Sequence, residues 1–95
     1  MKYFDWDEEK NERLKAERDI SFEDFIVAFD NNKVLAIIDH PNKKRYPNQK
    51  MFIININHYA YLVPFVEDEE KIFLKTIIPS RKATRDYIIE RKVKK

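Results

Sequence analysis

Three stretches of the chain hold residue types that do chemistry together. The first is Ser80-Arg81-Lys82-Ala83-Thr84-Arg85, where two hydroxyls and three cations stand at the start of a predicted helix. Open backbone N–H groups, hydroxyl donors and cationic side chains are what a phosphate group recruits. The same spacing also describes a capped terminal helix with a solvated basic face. The second stretch runs from His40 to Lys50 and carries Asn42, Lys43, Lys44, Arg45, Tyr46, Asn48 and Gln49. An imidazole that titrates near neutrality, four cations, a ring for base stacking and amides for base edges suit single-stranded RNA. An ordinary surface loop between strands has the same composition, so both readings stand. The third stretch holds Asp7, Glu8, Glu9, Glu12 and Glu17. Lys10, Arg13, Lys15 and Arg18 neutralise these carboxylates at i, i+3 and i, i+4 spacing, and no His or EF-hand pattern accompanies them. His58 reads as a turn residue, and neither a metal nor a cofactor is expected.

Composition bounds what can position these groups. Ninety-five residues make one domain, 1–95, and 43% hydrophobic residues suffice for a core without a metal or disulfide. The absence of cysteine excludes a thiolate nucleophile and allows a reducing compartment. Acidic residues follow the opening aromatics too soon for a leader, and the apolar runs are strand-length, so neither export nor a membrane span is expected. With 19 basic against 17 acidic residues the net charge is uninformative, but its distribution is not. Acids cluster at 5–24 and 67–70, and bases at 43–50 and 81–95.

Periodicity then predicts the elements. Phe4 and Trp6 form a short extended segment, and 7–18 a solvated helix whose apolar contacts are only Leu14 and Ala16. Phe22, Phe25, Ile26 and Phe29 make one face of a second helix, with Ser21 as N-cap, Asp24 in the first turn and Ile20 closing over Phe25. Strands follow at 34–38, 51–56, 59–66 and 72–78, with Asn57-His58 as a two-residue hairpin. Without glycine, Asn and Asp must supply positive φ.

Pairing Ile56 with Tyr59 and Val66 with Lys71 puts Phe52, Ile54, Ile56, Tyr59, Tyr61, Val63, Phe65, Ile72, Leu74 and Ile78 on a core face. The other face is too apolar to be freely solvated, and Pro64 demands a bulge or open edge. A last helix from Ser80 to about Lys92 turns Ala83 and Tyr87 to one side and Arg81, Arg85 and Lys92 to the other, with Ile88 and Ile89 on its flanks. The expected fold is α+β, with two helices, a four-stranded mainly antiparallel sheet and a C-terminal helix.

Three ordered blocks carry a family likeness. Phe4-Asp5-Trp6-Asp7-Glu8-Glu9-Lys10, Ile20-Ser21-Phe22-Glu23-Asp24 and Ile78-Pro79-Ser80-Arg81-Lys82-Ala83-Thr84 resemble the Phe-x-Trp-Asp-x-x-Lys, Val/Ile-Ser-Phe-Glu-Glu and Ile-Ser-x-Arg-Lys-Ala blocks of BrnT toxins. Glu17-Arg18-Asp19 stands where that family usually has Lys-His-Gly. The resemblance implies a RelE-like ribonuclease toxin of the cytoplasm, neutralised by a ribbon-helix-helix antitoxin, with operator DNA bound only through the complex. It also implies that Arg81 and Lys82 contact RNA phosphate. On this reading Arg81, Lys82 and Arg85 stabilise the phosphate and Lys44, Arg45 and Lys50 bind RNA. Tyr46 stacks a base and His40 transfers a proton. The competing function is a non-catalytic module that binds protein or nucleic acid through the apolar second face and basic tail.

Overall fold

Phe4 and Trp6 alternate with Asp5 and Asp7, and the extended segment they predict includes a strand, β1 (Tyr3–Asp5). The computed structural model describes residues 2–89. After β1 come α1 (Glu8–Arg18), α2 (Phe22–Asp30), β2 (Val34–Asp39), β3 (Lys50–Ile56), β4 (Tyr59–Glu67), β5 (Lys71–Leu74) and β6 (Ile78–Pro79). The described residues end in α3 (Arg81–Ala83) and a π-helical segment, Thr84–Ile89. The remainder of the helix expected to reach Lys92 lies outside the described residues.

The α+β class and the three helices agree with the sequence, whereas the sheet is larger and mixed. Its order is β1-β5-β4-β3-β2, with β6 also paired to β4. β1 lies parallel to β5, and the two first helices stand between β1 and β2 rather than ahead of the whole sheet. The expected fourth strand, 72–78, is split in two. Phe65 faces Leu74 in β5, a register that would bring Ile77 opposite Leu62, but Ile78 stands there in β6. The break follows from Pro64. Its carbonyl accepts from Lys75 N–H at 2.8 Å, so its ring nitrogen points to the same edge and offers no donor. One extra residue is accommodated there, as a bulge would do.

That single residue corrects the predicted core face. Ile77 turns inward and is fully buried, while Ile78 turns outward. Phe52, Ile54, Ile56, Val63, Phe65 and Leu74 hold the expected face, with Tyr61 and Ile72 packed at its margin. Val66 pairs with Phe73, not Lys71. A shift of two preserves the pleat, so the faces of β5 survive the error. On the other side of the sheet Ile53 and Ala60 pack with Ala83, flanked by Leu62, Tyr87 and Ile88. The C-terminal helix therefore covers the apolar second face, leaving Ile89 exposed.

Local signals explain the helix ends. Asp7 caps α1 through its carboxylate rather than beginning the helix. Ser21 and Asp24 form a reciprocal capping box, with Asp24 N–H to Ser21 Oγ at 3.1 Å and Ser21 N–H to Asp24 Oδ2 at 2.9 Å. Positive φ falls on Asp19, Asn32, Asn57 and His58, the last two making the hairpin turn. Leu14 is buried but Ala16 is not, and the second contact of α1 is Asn11, fully enclosed. Its Oδ1 accepts from Phe22 N–H and its amide donates to Glu23, both at 2.8 Å. Arg18 reaches the other end of the bulge, donating to the carbonyl of Ile77.

The Asn11 amide is the chief reason the Glu23 carboxyl sits below the usual carboxylate range. A lowered carboxyl pKa contributes stability that is complete above the ordinary value and lost as pH falls through the lowered one. Asn11→Ala is expected to lose about 1–3 kcal/mol at neutral pH, since Phe22 N–H is left buried without a partner. Urea melts should show the gap to wild type narrowing once Glu23 is protonated; a gap independent of pH uncouples the two residues.

Candidate functional site

The chain leaves the sheet and enters the basic helix within a single residue, and hydroxyl groups make this possible. Ser80 N–H donates to the carbonyl of Ala60 at 3.0 Å, extending the β4–β6 ladder by half a rung. The other half would join Ala60 N–H to the Ser80 carbonyl, but that carbonyl already accepts from Thr84 N–H at 3.0 Å. Thr84 Oγ1 stands between them, accepting from Ala60 N–H and donating to the Ser80 carbonyl, both at 2.8 Å. Ser80 Oγ caps the turn by accepting from Ala83 N–H at 3.1 Å. Both hydroxyls of the first stretch thus serve the backbone, as the capped-helix reading of that stretch expects. Its cations remain outside: Arg81 and Lys82 are exposed and, among the described residues, their side chains have neither an ion pair nor a hydrogen bond. Arg85 pairs with Asp86 at 3.4 Å.

The loop between β2 and β3 is organised by Asn42. Its N–H donates to His40 Nδ1 at 3.0 Å, its Oδ1 accepts from Arg45 N–H at 3.2 Å, and its carbonyl accepts from Tyr46 N–H at 3.0 Å. The sequence reading took such amides for base contacts; here that amide oxygen holds the loop. The result is a cluster in which the His40 and Tyr46 rings lie 4.5 Å apart and the Arg45 guanidinium sits 5.5 Å from the Tyr46 centroid. With Nδ1 accepting, the neutral imidazole carries its proton on Nε2 and presents a donor. Lys43 pairs with Asp39 at 3.0 Å and holds that carboxyl below its ordinary pKa, whereas Lys44 is exposed.

A cleft of about 320 Å3 brings the two stretches together. Pro41, beside His40, contributes one wall with Ile38, while Ser80, Lys82, Ala83, Asp86 and Tyr87 contribute the other, over a floor of Ile53 and Leu62. Pleat alternation puts Lys50 with Phe52 on the opposite face, where it lines grooves with Phe65 and Glu67. Lys50 is therefore apart from Arg81 and Lys82. Among the described residues no helix is long and apolar enough to cross a membrane.

A family model described as the ribonuclease toxin BrnT of type II toxin-antitoxin systems matches residues 6–86. The chain belongs to the BrnT toxin family. The match spans Trp6, the capped α2, the loop from His40 to Lys50 and the turn holding Arg81, Lys82 and Arg85. Membership implies an antitoxin partner. No curated protein and no solved structure matches the chain.

Asn42 and Thr84 are the residues that sequence reasoning undervalued, because their side-chain hydrogen bonds go to backbone atoms that periodicity does not locate. Ser80 tests the assignment directly. Ser80→Ala is expected to lower stability by about 1 kcal/mol, the usual worth of a helix cap. An unchanged urea midpoint would return that hydroxyl to the pool of ligand contacts.

Proposed function

We propose that this BrnT-family chain is a metal-independent endoribonuclease whose activity inhibits growth, with RNA lying across the cleft between the β2–β3 loop and the C-terminal basic turn. The observation that carries this reading is the shared cleft itself, which sets Lys82, unpaired among the described residues, opposite the root of the loop bearing His40, Tyr46 and Arg45. In this mechanism the 2′-oxygen attacks the adjacent phosphorus and displaces the 5′-oxygen, its own proton passing to solvent. Arg81 and Lys82 stabilise the extra negative charge on the phosphate, replacing the role a metal plays elsewhere. Arg85 adds to the field along the same segment. His40 Nε2–H hydrogen-bonds the departing 5′-oxygen as its charge develops, and that oxygen takes its proton from solvent, so the imidazole stays neutral. Tyr46 stacks a base, and Lys44 and Arg45 hold the backbone beside it. Lys50, on the other face, contributes only to a longer RNA path around the sheet edge.

The family supports further proposals of the same kind. The architecture is RelE-like, the site of action is the cytoplasm, and the antitoxin is of the ribbon-helix-helix class, through which alone the complex reaches operator DNA.

Labelled RNA incubated with the purified, antitoxin-free chain and a chelator is expected to give discrete products. A tight complex without product supports a binding module instead. Replacing Arg81 and Lys82 together by Ala should abolish growth inhibition in a protein that stays folded; retained toxicity removes them from the site. Tyr46→Ala should weaken single-stranded RNA binding by about 1–3 kcal/mol, the worth of one base stack. Unaltered affinity in a titration of labelled oligonucleotide would detach the loop from the RNA path.

A further inference from the structure

We infer that Thr84 is a positioning residue for RNA cleavage, acting through Arg81 and Lys82; the inference rests on the functional reading above. Thr84 is 6% exposed and touches solvent too little to meet RNA itself. Among the described residues its hydroxyl alone links the buried Ala60 N–H to the helix turn, and it spends both hydrogen-bonding functions on that link. Arg81 and Lys82 lie within the five-residue turn that Ser80 and Thr84 close from its two ends.

The chemistry of the group explains why a hydroxyl is needed. Ala60 N–H requires an acceptor, and the Ser80 carbonyl can take a donor, so only a side chain that does both can sit between them. A carboxamide would be too long and a thiol too weak. A threonine bonding back to the i−4 carbonyl also perturbs helix winding, and the π-helical segment begins at Thr84 itself. The hydroxyl thereby fixes both the distance of the basic turn from β4 and the direction in which the helix leaves over Ile53 and Leu62. Those two residues floor the cleft that Lys82 overlooks. A shift of the turn moves the two cations relative to His40, and displacement of a charge-stabilising group by about 1 Å is worth roughly 100-fold in rate.

Thr84→Val keeps the shape and removes the hydroxyl, and Thr84→Ser keeps the hydroxyl and removes the methyl. Under single-turnover conditions with labelled RNA, Thr84→Val is expected to lower the cleavage rate roughly 10- to 100-fold with RNA affinity within about twofold of wild type, and Thr84→Ser to restore most of the rate. In the Arg81→Ala/Lys82→Ala background Thr84→Val should change the residual rate no further, because residues that act as a unit are not additive. Thr84→Ala, read in the same cycle, serves where the valine variant does not fold. A wild-type rate in folded Thr84→Val, a serine variant as slow as the valine one, or full additivity in the cycle overturns the inference. Wild-type protein that cleaves no RNA overturns the functional reading instead.

Discussion

The geometry of this domain turns on how the chain exits its sheet. Ala60, fully buried in β4, has its carbonyl tied to Ser80 and its N–H tied to Thr84. A buried peptide group left unpaired costs about as much as the hydrogen bond it lacks. The hydroxyl relay therefore lets β6 stop at Pro79 without stranding Ala60, and it brings the C-terminal helix down onto the second sheet face. Ala83, Tyr87 and Ile88 then cover Ile53, Ala60 and Leu62, and the same turn holds Arg81 and Lys82 in solvent. One constraint joins fold closure to the presentation of charge.

The opposite face depends on a second local irregularity. Pro64 removes a donor from the edge where β5 and β6 meet, and the chain inserts a residue there. Ile77 consequently enters the core that α1 and α2 close, with Arg18 bonded to its carbonyl. Arg18 of α1 is thereby engaged in holding the segment between β5 and β6. That contact links the helical half of the molecule to the strand that delivers the basic turn.

Much of this was readable in the residues. The period of Phe22, Phe25 and Phe29, the Ser21 cap and the alternation in β3 and β4 are local signals, and each gave the right element and face. Pro64 announced an irregularity but not its sense, since periodicity cannot say which residue is extra. That is why Ile78 rather than Ile77 was expected inside. β1 went unpaired in the sequence reading because three residues carry too short a pattern to specify a parallel partner 68 residues away at Lys71. In the candidate site, residue types pick out the cations and the aromatic loop, whereas the Ser80 and Thr84 hydroxyls fit a helix cap or a phosphate contact by type and the Asn42 amide fits a base contact; in the structure all three tie backbone. A hydroxyl beside a cation has the same composition in either role, and only the position of Ala60 separates them.

On the proposed function, the loop after β2 and the turn after β6, about forty residues apart in sequence, form one RNA surface. Amide chemical shifts of the isotope-labelled chain, followed during titration with a single-stranded RNA carrying 2′-O-methyl groups to block the nucleophile, test it directly. Concerted perturbation of His40 to Tyr46 and of Arg81 to Arg85, with one common affinity, is the predicted result. Perturbation confined to one of the two segments, or centred on the opposite face around Lys50 and Glu67, would contradict it.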